Sequence, residues 1–237
     1  MSKYESISNE IRNRVKANVY PVDQPIPDEV SLSKEFQCSR MTMKKALDIL
    51  VMEGLLYRKR GHGTFIIKST MRDNTGSIVD KETLGLSTLL KGKHIVSTVI
   101  TFEVQFPSEE VAAHLGISQD TPVYHLIRLR SVEHEPYVME ETYMPTNLIL
   151  DLTEEVLNAS IYAHITNTLK LTIAGSQRKI RACKPNELDR KYLECKADDP
   201  ILEVEHVGYL NTGIPFEYSF SRHRYDKFVF TTINIRR

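Results

Sequence analysis

Residues 27–65 read PDEVSLSKEFQCSRMTMKKALDILVMEGLLYRKRGHGTF, and the punctuation of this stretch decides the fold of the N-terminal region. Pro27 holds the chain extended, and Asp28 can then cap a helix that carries Leu32 and Phe36 on one side. Ser39 can cap a further helix in which Met43, Ala46, Leu47 and Leu50 share an apolar face. Gly54 stops it. LLYRK and GTFIIK follow as two short strands joined by Arg60-Gly61-His62-Gly63, where glycine allows the positive φ of a tight turn. Toward the N-terminus, Ile7, Ile11 and Val15 recur at helical spacing, predicting an amphipathic helix from about Tyr4 to Ala17 that Pro21 and Pro25 terminate. Three helices and a β-hairpin within the first 70 residues make a winged helix-turn-helix.

The chemistry lies at the start of the third helix. Ser39, Arg40, Thr42, Lys44 and Lys45 stand where a recognition helix meets base edges and phosphates. Arginine can fork onto a guanine edge, and threonine can reach a phosphate or a thymine methyl. The hairpin tip, Arg58 to Gly63, is basic and thin enough to enter a minor groove, with His62 and Gly63 at its turn. A charge run alone is usually a solvated face; a basic recognition-type helix followed by a basic glycine hairpin favours DNA. The charge distribution agrees. Of 31 basic and 31 acidic residues, positions 1–70 hold 12 and 8, leaving 19 and 23 for the rest.

The pattern SRxTxxxAL…EGLLYRxxGxGTF resembles the DNA-binding domain of GntR-family bacterial transcription regulators over residues 3–67. The resemblance implies DNA contacts at Ser39, Arg40, Thr42, Lys44, His62 and Gly63. One position departs from it: the family's Ser-Glu-Arg after the proline is Asp28-Glu29-Val30, so the arginine contact is missing.

At 237 residues the chain has room for one or two domains, and 41% hydrophobic with 26% charged residues is the composition of a globular protein. No apolar run is long enough for a signal peptide or a membrane span. Cys38, Cys183 and Cys195 are odd in number and scattered, which excludes a disulfide framework and a zinc site and points to a reducing cytoplasm. Lys68 to Glu82 reads KSTMRDNTGSIVDKE, loop chemistry throughout. We therefore expect a DNA-binding domain at 1–68, a linker at 69–82 and a second domain at 83–237.

The second domain contains a faint duplication. PSEEVAAHLGISQDTPVYHLIRLR from Pro107 parallels PNELDRKYLECKADDPILEVEHVG from Pro185 at an offset of 78, which slips to 79 between Pro136 and Pro215. Each copy reads as helix, strand, strand. Strands are expected at His94–Val104, Val123–Val132, Tyr137–Tyr143, Ile201–Leu210 and Phe216–Arg224, with a helix at Ser160–Leu169. The fold class is α+β with a mainly antiparallel sheet. Arg128 and Arg130, two apart on a strand, point to one face, and two guanidinium groups together favour an anion, phosphate above all. Glu140 on the adjoining strand, and Glu217 in the second copy, can accept from sugar hydroxyls or amines. Ser160 and Tyr162 open the intervening helix, and Ser87 precedes another short one; helix starts favour anions.

TPVYHLIRLR, EPYVMEETYMP, SIYAHI and IPFEYSFSRHRYDKF make this domain similar to the effector-binding domain of the HutC branch of the GntR family, a chorismate-lyase-like fold. That resemblance implies an effector pocket lined by Ser87, Arg128, Arg130, Glu140, Ser160, Tyr162 and Glu217, with His223 where several relatives carry tyrosine. It is nearest to repressors of β-glucoside or β-mannoside utilisation. The expectation is a cytoplasmic homodimer that binds double-stranded operator DNA, most simply a repressor released by a phosphorylated sugar, with no metal, cofactor or catalytic residue. A chorismate-lyase-type enzyme is one alternative, although no catalytic constellation is visible in the sequence. A C-terminal half that only dimerises is the other.

Overall fold

The computed structural model describes residues 2–67, 86, 90 and 92–230. These fall into two compact units, the second ending at Val229. The expected linker at 69–82 and Ser87 lie outside the described residues.

The first unit contains α1 (Lys3–Lys16), α2 (Glu29–Glu35), α3 (Arg40–Met52), β1 (Leu56–Lys59) and β2 (Gly63–Ile66). Asp28 accepts a hydrogen bond from the Ser31 amide at 2.7 Å and Ser39 one from the Thr42 amide at 3.1 Å, so both helices start where the capping residues stand. Ile7, Ile11 and Val15 of α1 close over Leu32, Met43, Leu47 and Leu50, with Leu56 and Ile66 of the hairpin sealing the edge. The Ile26 amide donates to the Thr64 carbonyl at 2.8 Å, laying the proline-rich segment along β2. Gly63 is required twice over: its φ is +110°, and a Cβ there would stand 3.0 Å from Pro25 Cβ.

The second unit is a six-stranded antiparallel sheet with helices on both faces. Its elements are β3 (Ile95–Gln105), α4 (Glu109–Leu115), β4 (Val123–Val132), β5 (Glu135–Pro145), α5 (Glu154–Asn158), α6 (Ile161–Ala163), β6 (Ile173–Cys183), α7 (Glu187–Tyr192), β7 (Ile201–Leu210) and β8 (Pro215–Arg224). The strand order is β3-β4-β5-β8-β7-β6, every neighbour antiparallel. The duplication is larger than the sequence reading had it. β6, which was not foreseen, is the counterpart of β3, so each half is strand, helix, strand, strand. Glu141 lies opposite Phe220, a pair 79 apart, so the pseudo-twofold axis passes between β5 and β8 at that point. The expected helix at Ser160–Leu169 is shorter: α6 ends at Ala163 and a π-type turn, His164–Thr168, continues it.

One face of the sheet packs Leu126, Met144 and Phe216 against Leu157, Ile161 and Ile165 of the α5–α6 segment. The other packs Val123, Val207 and Tyr218 against Val111 and Leu115 of α4, and Met139 and Ile201 against Leu193 beyond α7. On β7, Gly208 stands at the duplicated position of Arg130. A Cβ there would lie 2.8 Å from the Phe216 ring, which occupies the space an arginine would need.

Gly208→Ala should lower the stability of this unit by about 1–3 kcal/mol, the usual cost of overpacking. The same change in a Phe216→Leu background should cost less. Urea denaturation followed by circular dichroism reads both, and equal losses in the two backgrounds would refute the contact.

Candidate functional site

The basic end of α3 and the hairpin form one surface of the first unit. Among the described residues, Arg40 and Lys44 are exposed and make no ion pair. Thr42 shares a 2.9 Å hydrogen bond with the Ser39 hydroxyl. Lys45 is placed differently: its ammonium sits 4.0 Å from the centroid of the Tyr4 ring, which holds it against α1. Val30, where the family has arginine, lies on a groove with Lys34, Ser39, Arg40 and Thr42. At the tip, the His62 ring nitrogen Nδ1 lies 2.9 Å from the Arg60 carbonyl and Gly61 has φ +75°, so the turn projects its basic residues outward. Arg58 does not join them. It pairs with Asp48 of α3 and, at 3.3 Å, with Glu29 of α2, clamping the hairpin to both helices.

The second unit holds a cavity of about 100 Å³ on the α5–α6 face of the sheet. A single water needs roughly 10–15 Å³ on the same measure, so this is a space for a small molecule. Seven of the eight expected effector residues line it: Arg128, Arg130, Glu140, Ser160, Tyr162, Glu217 and His223. Leu86, the neighbour of Ser87, lines it too.

Sheet register brings these residues together. Arg128 faces Glu140 across β4–β5, and Glu140 faces Ser221 across β5–β8. Arg128 Nη2 donates to Glu140 Oε2 at 2.8 Å, and Arg130 Nη1 lies 3.7 Å from the same oxygen. Both arginines are nearly inaccessible, at 6% and 4% exposure, so one carboxylate serves two buried guanidinium groups. Burial works to raise the Glu140 carboxyl, but the two guanidinium groups outweigh it and hold it below the usual carboxylate range. Arg128 Nη1 donates to the Leu157 carbonyl at 2.9 Å, while its Nε is buried with no hydrogen-bond partner.

The far side of the cavity is rich in hydroxyls around a second carboxylate, Glu217. Glu217 accepts from the Tyr162 hydroxyl at 2.6 Å and from the Ser219 hydroxyl at 2.7 Å. By the 79-residue offset, the counterpart of Glu140 is Ser219; Glu217 stands one pleat away on the same face. Ser160 spends its hydroxyl capping α6 at the Ala163 amide, 3.2 Å away. With α6 only three residues long, the helix-start field expected there is weak. His206 Nε2 and His223 Nδ1 are buried without partners, and burial pushes His206 down and His223 to about 4, so both rings are neutral at pH 7.

Five further polar lining residues were not singled out from the sequence: Thr142, Arg178, His206, Ser219 and Ser221. The two serines alternate with Glu217 and His223 along β8, and His206 is Arg128 displaced by 78, so period and duplication could have found them. Arg178 sits on the unforeseen β6. Among the described residues there is no cluster of His, Cys, Asp or Glu able to hold a metal ion, and no helix long and apolar enough to cross a membrane.

Comparison with known proteins places this geometry. The family model "Bacterial regulatory proteins, gntR family" matches residues 3–66, and the UTRA domain model matches residues 90–229. The HTH-type transcriptional regulator GmuR of Bacillus subtilis (strain 168) is 69% identical over 237 residues, covering 100% of both chains. The crystal structure of YydK from Bacillus subtilis subsp. subtilis str. 168 superposes with a TM-score of 0.82 at 28% identity, covering 99% of this chain and 100% of that one. The effector-binding domain of the B. subtilis trehalose repressor TreR superposes with a TM-score of 0.54 at 30% identity, covering 60% of this chain and 98% of that domain.

The depressed His223 fixes a pH dependence. Below pH 6.5 the unfolded chain takes up a proton at this residue that the folded chain refuses until about pH 4, so stability falls as pH is lowered through that window. The loss should reach up to about 3 kcal/mol, with His206 adding in the same direction. Denaturant titrations of the wild type and His223→Gln between those pH values should show a flatter profile for the variant.

Proposed function

The chain belongs to the gntR family of bacterial regulatory proteins, a transcription regulator with a UTRA domain, and from that premise we propose that it represses sugar-utilisation genes and leaves its operator on binding a phosphorylated sugar. The observation that carries the effector assignment is the pair Arg128 and Arg130, buried in a cavity with a single carboxylate between them. Two guanidinium groups on one side of a cavity suit a phosphate, which they can hold through charge-assisted hydrogen bonds. Glu217, Tyr162, Ser219 and Ser160 provide acceptors and donors suited to sugar hydroxyls on the other side. The trehalose repressor likeness supports a sugar as the class of ligand.

In this reading Ser39, Arg40, Thr42 and Lys44 meet the major groove while His62 and Gly63 lead the wing into the minor groove. Lys45 braces α1 and reaches phosphate only by leaving Tyr4. Ser87 is proposed to contact the effector as well. Domains at 1–68 and 83–237, joined by 69–82, act as a homodimer, since one winged helix covers too little DNA for tight specific binding. The sheet edges β3 and β6 are the surfaces available for pairing. The effector weakens DNA binding by preferring a dimer arrangement that no longer matches the half-site spacing.

Two variants separate the modules. Arg40→Ala should weaken operator binding by about 1–3 kcal/mol, while thermal stabilisation by the sugar phosphate stays intact. Arg128→Ala should keep operator binding and lose stabilisation and release, each lost contact costing about tenfold or more in affinity. Release of Arg128→Ala at the wild-type ligand concentration would move the pocket elsewhere. Equal response to unphosphorylated sugars would remove the phosphate, turnover of the ligand would make the domain an enzyme, and absence of any ligand response would leave it a dimerisation module.

A further inference from the structure

Met41 is the most exposed large hydrophobic residue of α3, at 74%, equalled by Met52 at the opposite end. The buried residues of α3, Met43, Ala46, Leu47 and Leu50, face the core, and Met41 stands on the other side with Lys44 three residues on. Its surroundings differ sharply from those of Met52, which abuts Glu53 at the C-terminal end. Met41 sits in the first turn between Arg40 and Thr42, and that turn contains no acidic residue. The one acid further along the same face, Asp48, is neutralised by Arg58. An apolar side chain is thus held at the tip of a helix whose one acid, Asp48, is paired with Arg58 and whose first turn carries only positive charge.

We propose that Met41 reads the C5-methyl group of a thymine in the major groove, next to the base or phosphate taken by Arg40. This inference rests on the DNA-binding reading above. The charge around Met41 selects a polyanion, and the apolar feature that double-stranded DNA presents at base level in its major groove is the thymine methyl. A flexible thioether can settle against it without demanding a hydrogen bond. In the free protein this side chain lies in water, and on the DNA both it and the methyl are desolvated. The contact therefore adds affinity only at sites with thymine in that position.

The test uses the full chain and duplexes selected by it from a random pool. Each thymine of the selected sequence is replaced by deoxyuridine, which removes the methyl and nothing else. One thymine per half-site should be sensitive, with binding about three- to tenfold weaker after replacement. Met41→Ala and Met41→Gln should weaken binding to the thymine duplex by a similar factor and bind thymine and deoxyuridine duplexes equally. Loss of less than twofold at every thymine, or a loss that persists in both variants, overturns the assignment of Met41 while leaving DNA binding in place. Failure to select any duplex, or an Arg40→Ala protein that binds like the wild type, overturns the DNA-binding reading itself.

Discussion

One carboxylate between two buried guanidinium groups is the constraint around which the second unit is organised. Removing charges from water costs several kcal/mol per ion, so each buried guanidinium needs partners at close range. Glu140 lies opposite Arg128 because β4 and β5 are in that register, and the ladder keeps neighbouring strands about 4.8 Å apart, so the pair cannot slide away. The Leu157 carbonyl takes one more donor. Val138, Met144 and Ile161 wall the site with hydrocarbon, which strengthens every electrostatic interaction inside it. Two guanidinium groups and the carboxylate they share are thereby held in fixed positions on one side of the cavity.

The duplication shows how the paired arginines came to stand in one half only. The scaffold is nearly symmetric about the Glu141–Phe220 pair, but the chemistry is not. Where one half carries Arg128 and Arg130, the other carries His206 and Gly208. The histidine is kept neutral by burial, and the glycine makes room for the Phe216 ring. Phe216 in turn lies edge-on to Tyr162, 6.0 Å between centroids, and Tyr162 is held by Glu217. The paired arginines thus stand on one half of the sheet and the Tyr162–Glu217–Ser219 cluster on the other, with Arg178 of β6 beside it.

The first unit was almost wholly legible in the sequence because its signals are local. Asp28 and Ser39 cap the residues beside them, the apolar spacing is intrahelical, and the glycines of the wing act where they stand. In the second unit the strands with strong alternation, β4, β5, β7 and β8, could be read, and with them seven lining residues of the cavity. β6 could not. It is an edge strand carrying Arg178, Lys179 and Arg181, without the apolar alternation that marks a half-buried strand. The Arg128–Glu140 pairing depends on register between strands, and the capture of Lys45 by Tyr4 depends on how α1 crosses α3; both are long-range facts that spacing along the chain does not contain.

The clamp made by Arg58 with Asp48 and Glu29 bears on how the first unit responds to salt. It is partly exposed, so ions screen it, and it adds a charged fastening to the buried Leu56 and Ile66 contacts and the Ile26–Thr64 pairing. Raising ionic strength therefore acts on DNA affinity by two routes: the ordinary loss of counterion release at the phosphates, and a loosening of the wing that must follow the groove. The slope of affinity against salt concentration will then exceed the number of phosphates the protein touches, and its excess measures how far the hairpin's alignment depends on a charge pair rather than on packed hydrocarbon.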